Sequence, residues 1–223
     1  IHYSEIALKK NNRKFFEKIF INNIKVHTKN LSYKKIYLKA ARIFISDINH
    51  NEWDHFKKIL KNVMGLKNAT LMIESETTIE NIKSISEKLV SKVNFETYRI
   101  TTKRHDKSLS FDSRDINIKI GQHIQDLTKK SVSLKFPDIN IRIELLQHKS
   151  YIGFDQIKGY SGLPANCQEK ALSLISSGID SPVASFEMIK RGVSVDYIHF
   201  HSYPATSMAS IDNVKKLLNV LSN

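Results

Sequence analysis

The sequence of 223 residues contains a single cysteine. That thiol, Cys167, excludes a disulfide scaffold and a zinc site built from cysteines. Long apolar runs are also lacking. None approaches the roughly 18 residues of a membrane helix, and no basic-then-apolar opening resembles a secretory signal. No membrane partner is therefore expected, and the cytosol is the default location.

Acidic side chains are in deficit: 22 Asp and Glu face 35 Lys and Arg, for a formal net charge of +13. The excess is uneven, at +8 over residues 1–50, +3 over 51–110, +2 over 111–160 and zero over 161–223. A surplus confined to the first two-thirds fits a polyanion-binding module joined to something else. The plainer reading is a lysine-rich composition that solvates helices.

Apolar spacing gives three units. Lys9–Lys25 reads as a helix with Phe16, Ile19, Phe20 and Ile24 on one face. Lys34–Ala40 and Ala41–Ser46 alternate as half-buried strands do. Glu52–Met64 is helical through Trp53, Phe56, Leu60 and Val63, with Gly65 as its stop, and Ala69–Ile73 is a strand. With a missing first strand, this is a ferredoxin-like β-α-β-β-α-β unit. In the second unit, Thr77 to Glu80 has capping-box spacing before a helix through Ile79, Ile82, Ile85 and Leu89. Phe95–Lys103 is a strand that runs into the basic tract Lys103, Arg104, His105 and Lys107. Ser113 caps a helix facing inward through Ile116, Ile120, Ile124 and Leu127. Ser131–Phe136, Asn140–Leu146 and Tyr151–Ile157 are strands, the first two joined by a Pro137-Asp138 turn.

Lys158–Pro164 reads as a turn-rich linker. The apolar run Ala171–Ile175 then has the character of a buried parallel strand. Next come Ser176–Pro182, a helix to Arg191 stopped by Gly192, and the strand Val193–His201. Strand–loop–helix–strand of this kind implies a doubly wound sheet. Its loop is small and rich in hydroxyls, so its backbone N–H groups, the helix dipole and Ser176, Ser177 and Ser181 converge as an anion cradle. No lysine closes it, so it is not a Walker-type loop. Asp180 beside an anion site makes sense if Mg²⁺ bridges it or if it orients donors. A serine-rich capping turn without a ligand is the bland alternative.

Ser-Ser-Gly-Ile-Asp-Ser resembles the SGGxDS loop of PP-loop ATP pyrophosphatases. The wider context resembles the tRNA 4-thiouridine synthetase family, tRNA sulfurtransferases also linked to thiamine synthesis. Carrying it are Gly162-Leu163-Pro164, Leu174 to Ala184, Lys190 to Val193, His199 to Ser202, Thr206-Ser207, and the opening Tyr3 to Arg13. Lys103 to Ser108, Gly121 and Pro137-Asp138 are similar to that family's THUMP domain. The departures are His2 for Arg, Ser4 and Lys10 for Gly, Ser177 for the first loop glycine, and 165–169 for a glycine-containing segment.

The resemblance implies an α/β and α+β multidomain protein. Its parts would be a ferredoxin-like domain (1–75), a THUMP RNA-binding domain (76–160, or from near 51) and the start of a doubly wound, Rossmann-like PP-loop domain (161–223). Implied also is ATP-dependent adenylation of the uridine at tRNA position 8, followed by transfer of persulfide sulfur from a cysteine desulfurase. ATP and Mg²⁺ would be the cofactors. The partners would be tRNA, the desulfurase and a sulfur carrier of thiamine synthesis, in a chain compatible with a homodimer. Carried over as pyrophosphate and Mg²⁺ handlers are Ser176, Ser177, Gly178, Asp180 and Ser181, with Asp180 taken as catalytic. Leu174, Ile175, His199 and Phe200 would frame the nucleotide. The family's sulfur-carrying cysteine lies beyond residue 223, and both chain ends look cut, so this chain is expected to bind without completing the reaction.

Cys167 reads as a small buried side chain. His199 and His201 share a strand face but lack a third ligand, so no metal site is expected from them. Lys9, Lys10, Arg13 and Lys14 form the densest early basic cluster, and with Lys103, Arg104, His105 and Lys107 they are the expected RNA contacts. Two other classes compete: a PP-loop ligase of another kind, which has no use for a basic front end, and a non-catalytic RNA-binding protein with a vestigial loop.

Overall fold

The computed structural model describes residues 1–105, 112–146 and 148–222. It separates into two compact units, one of Ile1–Ala69 with Ile157–Asn223 and one of Thr70–Gln156. The first unit opens with β1 (His2–Tyr3), two 3-10 turns, α1 (Arg13–His27), β2 (Lys35–Lys39), β3 (Arg42–Ser46), α2 (Trp53–Leu60) and β4 (Leu66–Thr70). β1 runs antiparallel to β4 and β2 antiparallel to β3. The Ile1 amino group donates to the Ile43 carbonyl at 2.8 Å and Ile43 N–H to the Ile1 carbonyl at 3.1 Å, which ties the two pairs together. The order β4-β1-β3-β2 is that of a ferredoxin-like unit, and its first strand is present as two residues rather than missing. Phe16, Phe20 and Ile24 of α1 are buried, as are Trp53, Phe56 and Leu60 of α2.

Three boundaries in this unit differ from the periodic reading. α1 starts at Arg13, not Lys9, because Lys10 sits at φ 37°, a left-handed value that an α-helix cannot incorporate. The strand expected over 69–73 straddles a break: β4 ends at Thr70 and a separate strand begins at Ile73. The β2–β3 hairpin turns on Ala40 and Ala41 at φ 48° and 58°, both positive as a type I′ turn requires, but with alanine where Asn-Gly is favoured.

The second unit contains β5 (Ile73–Glu76), α3 (Ile79–Val90), β6 (Thr97–Arg104), α4 (Ser113–Thr128), β7 (Ser131–Val132), β8 (Ile139–Leu146) and β9 (Lys149–Gly153). Its sheet order is β5-β9-β8-β6-β7, with β6 parallel to β7 and β8 and the other pairs antiparallel. Tyr98, Ile100, Ile141, Ile143, Leu145 and Ile152 share a core with Ile82 and Val90 of α3 and Ile116, Ile120 and Ile124 of α4. Leu127, expected on that inner face, is exposed. The caps fall one residue from the expected positions. Thr78 accepts from Asn81 N–H at 3.2 Å, and Asp112 accepts from Asp115 N–H at 2.8 Å. β7 stops after two residues because Arg99 takes the Leu134 carbonyl at 2.8 Å and Phe136 N–H turns back to Ser133 Oγ at 3.4 Å. The segment expected as one strand over 151–157 is split between β9 and β10 (Gln156–Lys158).

The chain then re-enters the first unit. β10 joins β4 in one sheet. The supposed linker 158–164 is pinned there: Gly159 N–H donates to Lys67 O at 3.1 Å, Ser161 N–H to Leu66 O at 2.9 Å and Gly65 N–H to Ser161 O at 2.8 Å. β11 (Lys170–Leu174), α5 (Asp180–Lys190), β12 (Ser194–Ile198) and α6 (Met208–Leu221) follow. β11 and β12 pair in parallel, as a βαβ unit demands. The burial expected for β11 does not hold: Leu172 and Leu174 are 66% and 65% exposed, because among the described residues this sheet has only two strands.

Two outcomes test these local arguments. Ala41→Gly relieves a left-handed alanine and is expected to stabilise the chain by about 1 kcal/mol, raising Tm by roughly 2–4 °C in a melting scan. Asp138 Oδ2 accepts from Glu96 N–H at 3.0 Å, Thr97 N–H at 2.8 Å and Thr97 Oγ1 at 3.1 Å, and the Thr97 and Glu96 amides hold its carboxyl below the usual carboxylate value. A depressed folded-state value means stabilisation that is present above the ordinary range of about 4 and lost as pH falls through the lower folded value. Asp138→Asn should lower Tm at neutral pH, with the gap to wild type closing as melts are repeated at progressively more acid pH.

Candidate functional site

β11 and β12 run from Lys170↔Ser194 to Leu174↔Ile198, so their carboxyl ends finish side by side. Ile175 N–H donates to the Ile198 carbonyl at 2.9 Å, and His199 Nδ1 lies 2.8 Å from the Ile175 carbonyl. A carbonyl only accepts, so His199 Nδ1 carries the proton of this bond. The geometry therefore brings Leu174, Ile175, His199 and Phe200 together at the strand ends, with Ile175 buried and Phe200 76% exposed.

The loop from Ser176 leads into α5, which begins at Asp180. Ser176 N–H donates to Ser181 Oγ at 2.9 Å, the two hydroxyls lie 3.1 Å apart, and Gly178 N–H approaches Ser176 Oγ at 3.3 Å. These bonds shape the loop, and residues 176–180 remain exposed. Ile179 at the helix N-cap offers no side-chain bond to the first-turn amides, so the positive end of α5 is uncapped. Pro182 occupies the first turn, where no N–H is needed. Ser177, the departure from the glycine pattern, is not among the residues at positive φ, and neither is Gly178. A Cβ added at Gly178 would find its nearest neighbour, Ser176 Oγ, at 3.6 Å. The loop thus accommodates a serine without backbone strain. Chemically, the arrangement offers hydroxyls, a helix dipole and a carboxylate to a phosphate chain.

The expected RNA contacts divide into residues that are held and residues that are exposed. Lys9 Nζ lies 5.1 Å from the Phe16 ring centroid. Arg13 Nε donates to Glu17 Oε1 at 2.8 Å, and its guanidinium also donates to the Tyr3 hydroxyl, which donates to Glu17. Glu17 is buried, and burial pushes the Tyr3 hydroxyl up from its ordinary value. Lys10, Arg13 and Lys14 line an open cleft of about 590 Å³ with Glu17, Lys39 and the hairpin turn. In the second unit Lys103 is exposed at the end of β6, whereas His105 Nε2 is engaged with the buried Glu144 at 2.8 Å. Arg104 also ends β6, and Lys107 lies outside the described residues.

Sequence reading passed over Arg99 and Arg142. The register sets Arg99 opposite Asn140, Thr101 opposite Arg142 and Lys103 opposite Glu144, so these residues share the sheet face opposite the apolar core. The period-two alternation of 98–103 and 139–144 was the available signal, but neither arginine lies in a basic run. Cys167 is buried, with its thiol pushed up by burial, and a Cβ on Gly192 would fall 2.3 Å from its Sγ. It is a packing residue.

A ferredoxin-like unit, a five-stranded α/β unit and a phosphate-type loop at the ends of parallel strands define a modular α/β protein of the PP-loop class. Three family patterns match in chain order: the ThiI ferredoxin-like domain over residues 1–70, the THUMP domain over 76–155, and the thiamine biosynthesis protein ThiI over 166–223. The chain belongs to the ThiI family. It is 32% identical over 228 residues to a protein of Alkaliphilus oremlandii named "Probable tRNA sulfurtransferase", covering 100% of this chain and 58% of that protein. Among solved structures it resembles PH1313 from Pyrococcus horikoshii, with TM-score 0.79, 29% identity, and 99% and 73% of the two chains covered. It also resembles a 4-thiouridine synthetase in complex with RNA and bound ATP, with TM-score 0.77, 31% identity, and 100% and 57% covered. The chain spans a little over half the length of the curated relatives it matches.

Ser181→Ala removes the acceptor of the Ser176 amide. Hydrogen exchange at Ser176 should quicken roughly fivefold, the equivalent of about 1 kcal/mol, with protection in β6 and β8 unchanged.

Proposed function

We propose that this chain is the RNA-gripping and nucleotide-binding portion of a tRNA sulfurtransferase that makes 4-thiouridine in the cytoplasm. The observation that carries the reading is the exposed, uncapped loop Ser176–Ser181 at the ends of β11 and β12, in a chain that matches along its length a 4-thiouridine synthetase seen with RNA and ATP. The division of labour is residues 1–75 and 76–160 for the tRNA and 161–223 for ATP.

The loop residues fit a triphosphate. Ser176, Ser177, Gly178 and Ser181 bring hydroxyl and amide donors, and the open space above Gly178 lets a phosphate approach the backbone. Asp180 is the residue that would hold Mg²⁺, which supplies charge neutralisation to the phosphates. Leu174, Ile175, His199 and Phe200 frame the base and ribose at the strand ends. In this reading the uridine O4 at tRNA position 8 attacks the α-phosphate, releasing pyrophosphate. The terminal sulfur of a persulfide, supplied by a cysteine desulfurase, then displaces AMP at C4. A second thiol, not supplied by Cys167, breaks the remaining S–S bond and is oxidised to a disulfide as the thiocarbonyl forms. Cys167 takes no part, since its buried thiol is disfavoured as a thiolate. A sulfur carrier of thiamine synthesis is a second outlet for the same sulfur, and a homodimer is the proposed assembly.

In the full-length protein, Asp180→Ala should lower tRNA-dependent pyrophosphate release from ATP at least ~10²-fold while leaving tRNA affinity unchanged. Nucleoside mass spectrometry of tRNA from a deletion strain should show 4-thiouridine restored by wild type and not by Asp180→Ala. Undiminished 4-thiouridine in the deletion strain overturns the reading.

A further inference from the structure

The first unit holds a cleft whose positive charge the protein itself does not balance. It is open, about 590 Å³ in volume, and lined by the 3-10 turn at Lys10, the start of α1 and the tip of the β2–β3 hairpin. Glu17 is the one carboxylate among the lining residues, and it is already engaged. Buried, it accepts from Arg13 Nε at 2.8 Å and from the Tyr3 hydroxyl. Arg13 Nη2 donates to that same hydroxyl, which leaves Nη1 without a partner among the described residues. Among the described residues, Lys10, Lys14 and Lys39, which also line the cleft, are in no ion pair.

Once Glu17 and Arg13 cancel, three ammonium charges remain around one concavity. Charges of one sign gathered in this way repel one another, and a multiply charged anion between them removes the repulsion. The phosphates of a nucleic-acid strand carry one charge each and are strung along it. Cations that three separate elements bring to one small volume instead match several negative charges on one compact group. The size agrees, since the volume is that of a small-molecule site. Binding also costs less where the walls are already set. Arg13 is fixed by Glu17 and Tyr3, and the hairpin is paired up to Lys39 and Arg42.

We propose that this cleft binds a linked polyphosphate, either free pyrophosphate or the phosphate tail of a nucleotide, at a site separate from the loop Ser176–Ser181. No residue of that loop lines the cleft, and the site does not depend on the reaction proposed for the loop.

The test is a set of amide proton–nitrogen correlation spectra of the chain, titrated separately with pyrophosphate, ATP, orthophosphate and a short single-stranded RNA. Pyrophosphate should shift the amides of Asn11, Ala40 and Ala41 to saturation, and bind at least roughly tenfold more tightly than orthophosphate. Lys14→Gln and Lys39→Gln should each weaken that binding roughly tenfold. Neither side chain belongs to the core, so both variants should melt with the wild type. ATP that shifts the cleft amides as tightly as pyrophosphate assigns the tail of a nucleotide, and a response to pyrophosphate alone assigns the free anion. Shifts at Ser176, Gly178 and Ser181 report the phosphate-type loop separately, so a silent loop counts against the ATP reading and not against the cleft. Cleft amides that move for no anion, or equally for orthophosphate and pyrophosphate, overturn the site, as do variants that bind like the wild type. RNA that saturates the same amides more tightly than either polyphosphate overturns it in favour of a nucleic-acid contact.

Discussion

Three backbone hydrogen bonds between 159–161 and the start of β4 govern how the first unit is built. They return the chain, after the whole of the second unit, to the edge of the ferredoxin-like sheet. Their cost is close backbone approach. A Cβ on Gly159 would lie 2.4 Å from the Leu66 carbonyl oxygen, and one on Gly162, at φ +76°, would lie 2.2 Å from the Lys190 carbonyl oxygen. Composition that reads as a flexible linker is here the composition of a tight joint. Leu163 is buried within it, and its N–H donates to Lys190 O at 2.9 Å.

From that joint, position passes to the loop through α5. The C-terminal end of the helix is held by Leu163 and by the Arg191–Glu5 pair at 2.8 Å, while Asn23 Nδ2 of α1 reaches the Ala165 carbonyl at 2.9 Å. The uncapped N-terminus of the same helix bears the loop. Glu5 lies in the 3-10 turn that leads directly to Lys9 and Lys10. The early basic cluster and the phosphate-type loop are thus anchored at the two ends of one short chain of contacts. An exposed ion pair contributes little energy by itself; the buried leucine and the backbone bonds supply the stability, and Arg191–Glu5 fixes orientation.

Most of the element order was legible because apolar spacing reports which face is buried. Ile116, Ile120 and Ile124 fall every four residues and face the core. What spacing could not report was the end of each element. Lys10 breaks the first helix through a backbone angle, not through its side chain, and the gap between β4 and β5 lies inside an apolar stretch with no Gly or Pro to mark it. Leu172 and Leu174 show the converse: an apolar run predicts a buried strand, but burial depends on what lies alongside. The site followed the same division. The strand–loop–helix is local, and the structure has it in the expected order. The cationic face is non-local, assembled by the parallel register of β6 and β8 across some forty residues, and no run of lysines announces it.

The same distinction separates basic residues that neutralise the protein from those that serve a partner. Arg13 lies in the densest early cluster, but its guanidinium is committed to Glu17 and Tyr3, at the wall of a cleft that Lys10, Lys14 and Lys39 also line. His105 is likewise occupied by Glu144. Counting charge along the sequence gives Arg13 full weight, although the buried Glu17 carboxylate has already matched it. Arg142, unremarkable in sequence, has a buried Nε without a hydrogen-bond partner and feels both the like charge of Arg99 and the opposite charge of Glu144. The loop departure obeys a parallel logic. Because neither Ser177 nor Gly178 uses the left-handed backbone, a serine at 177 adopts no conformation that glycine alone favours, and the fold of the loop does not depend on glycine there.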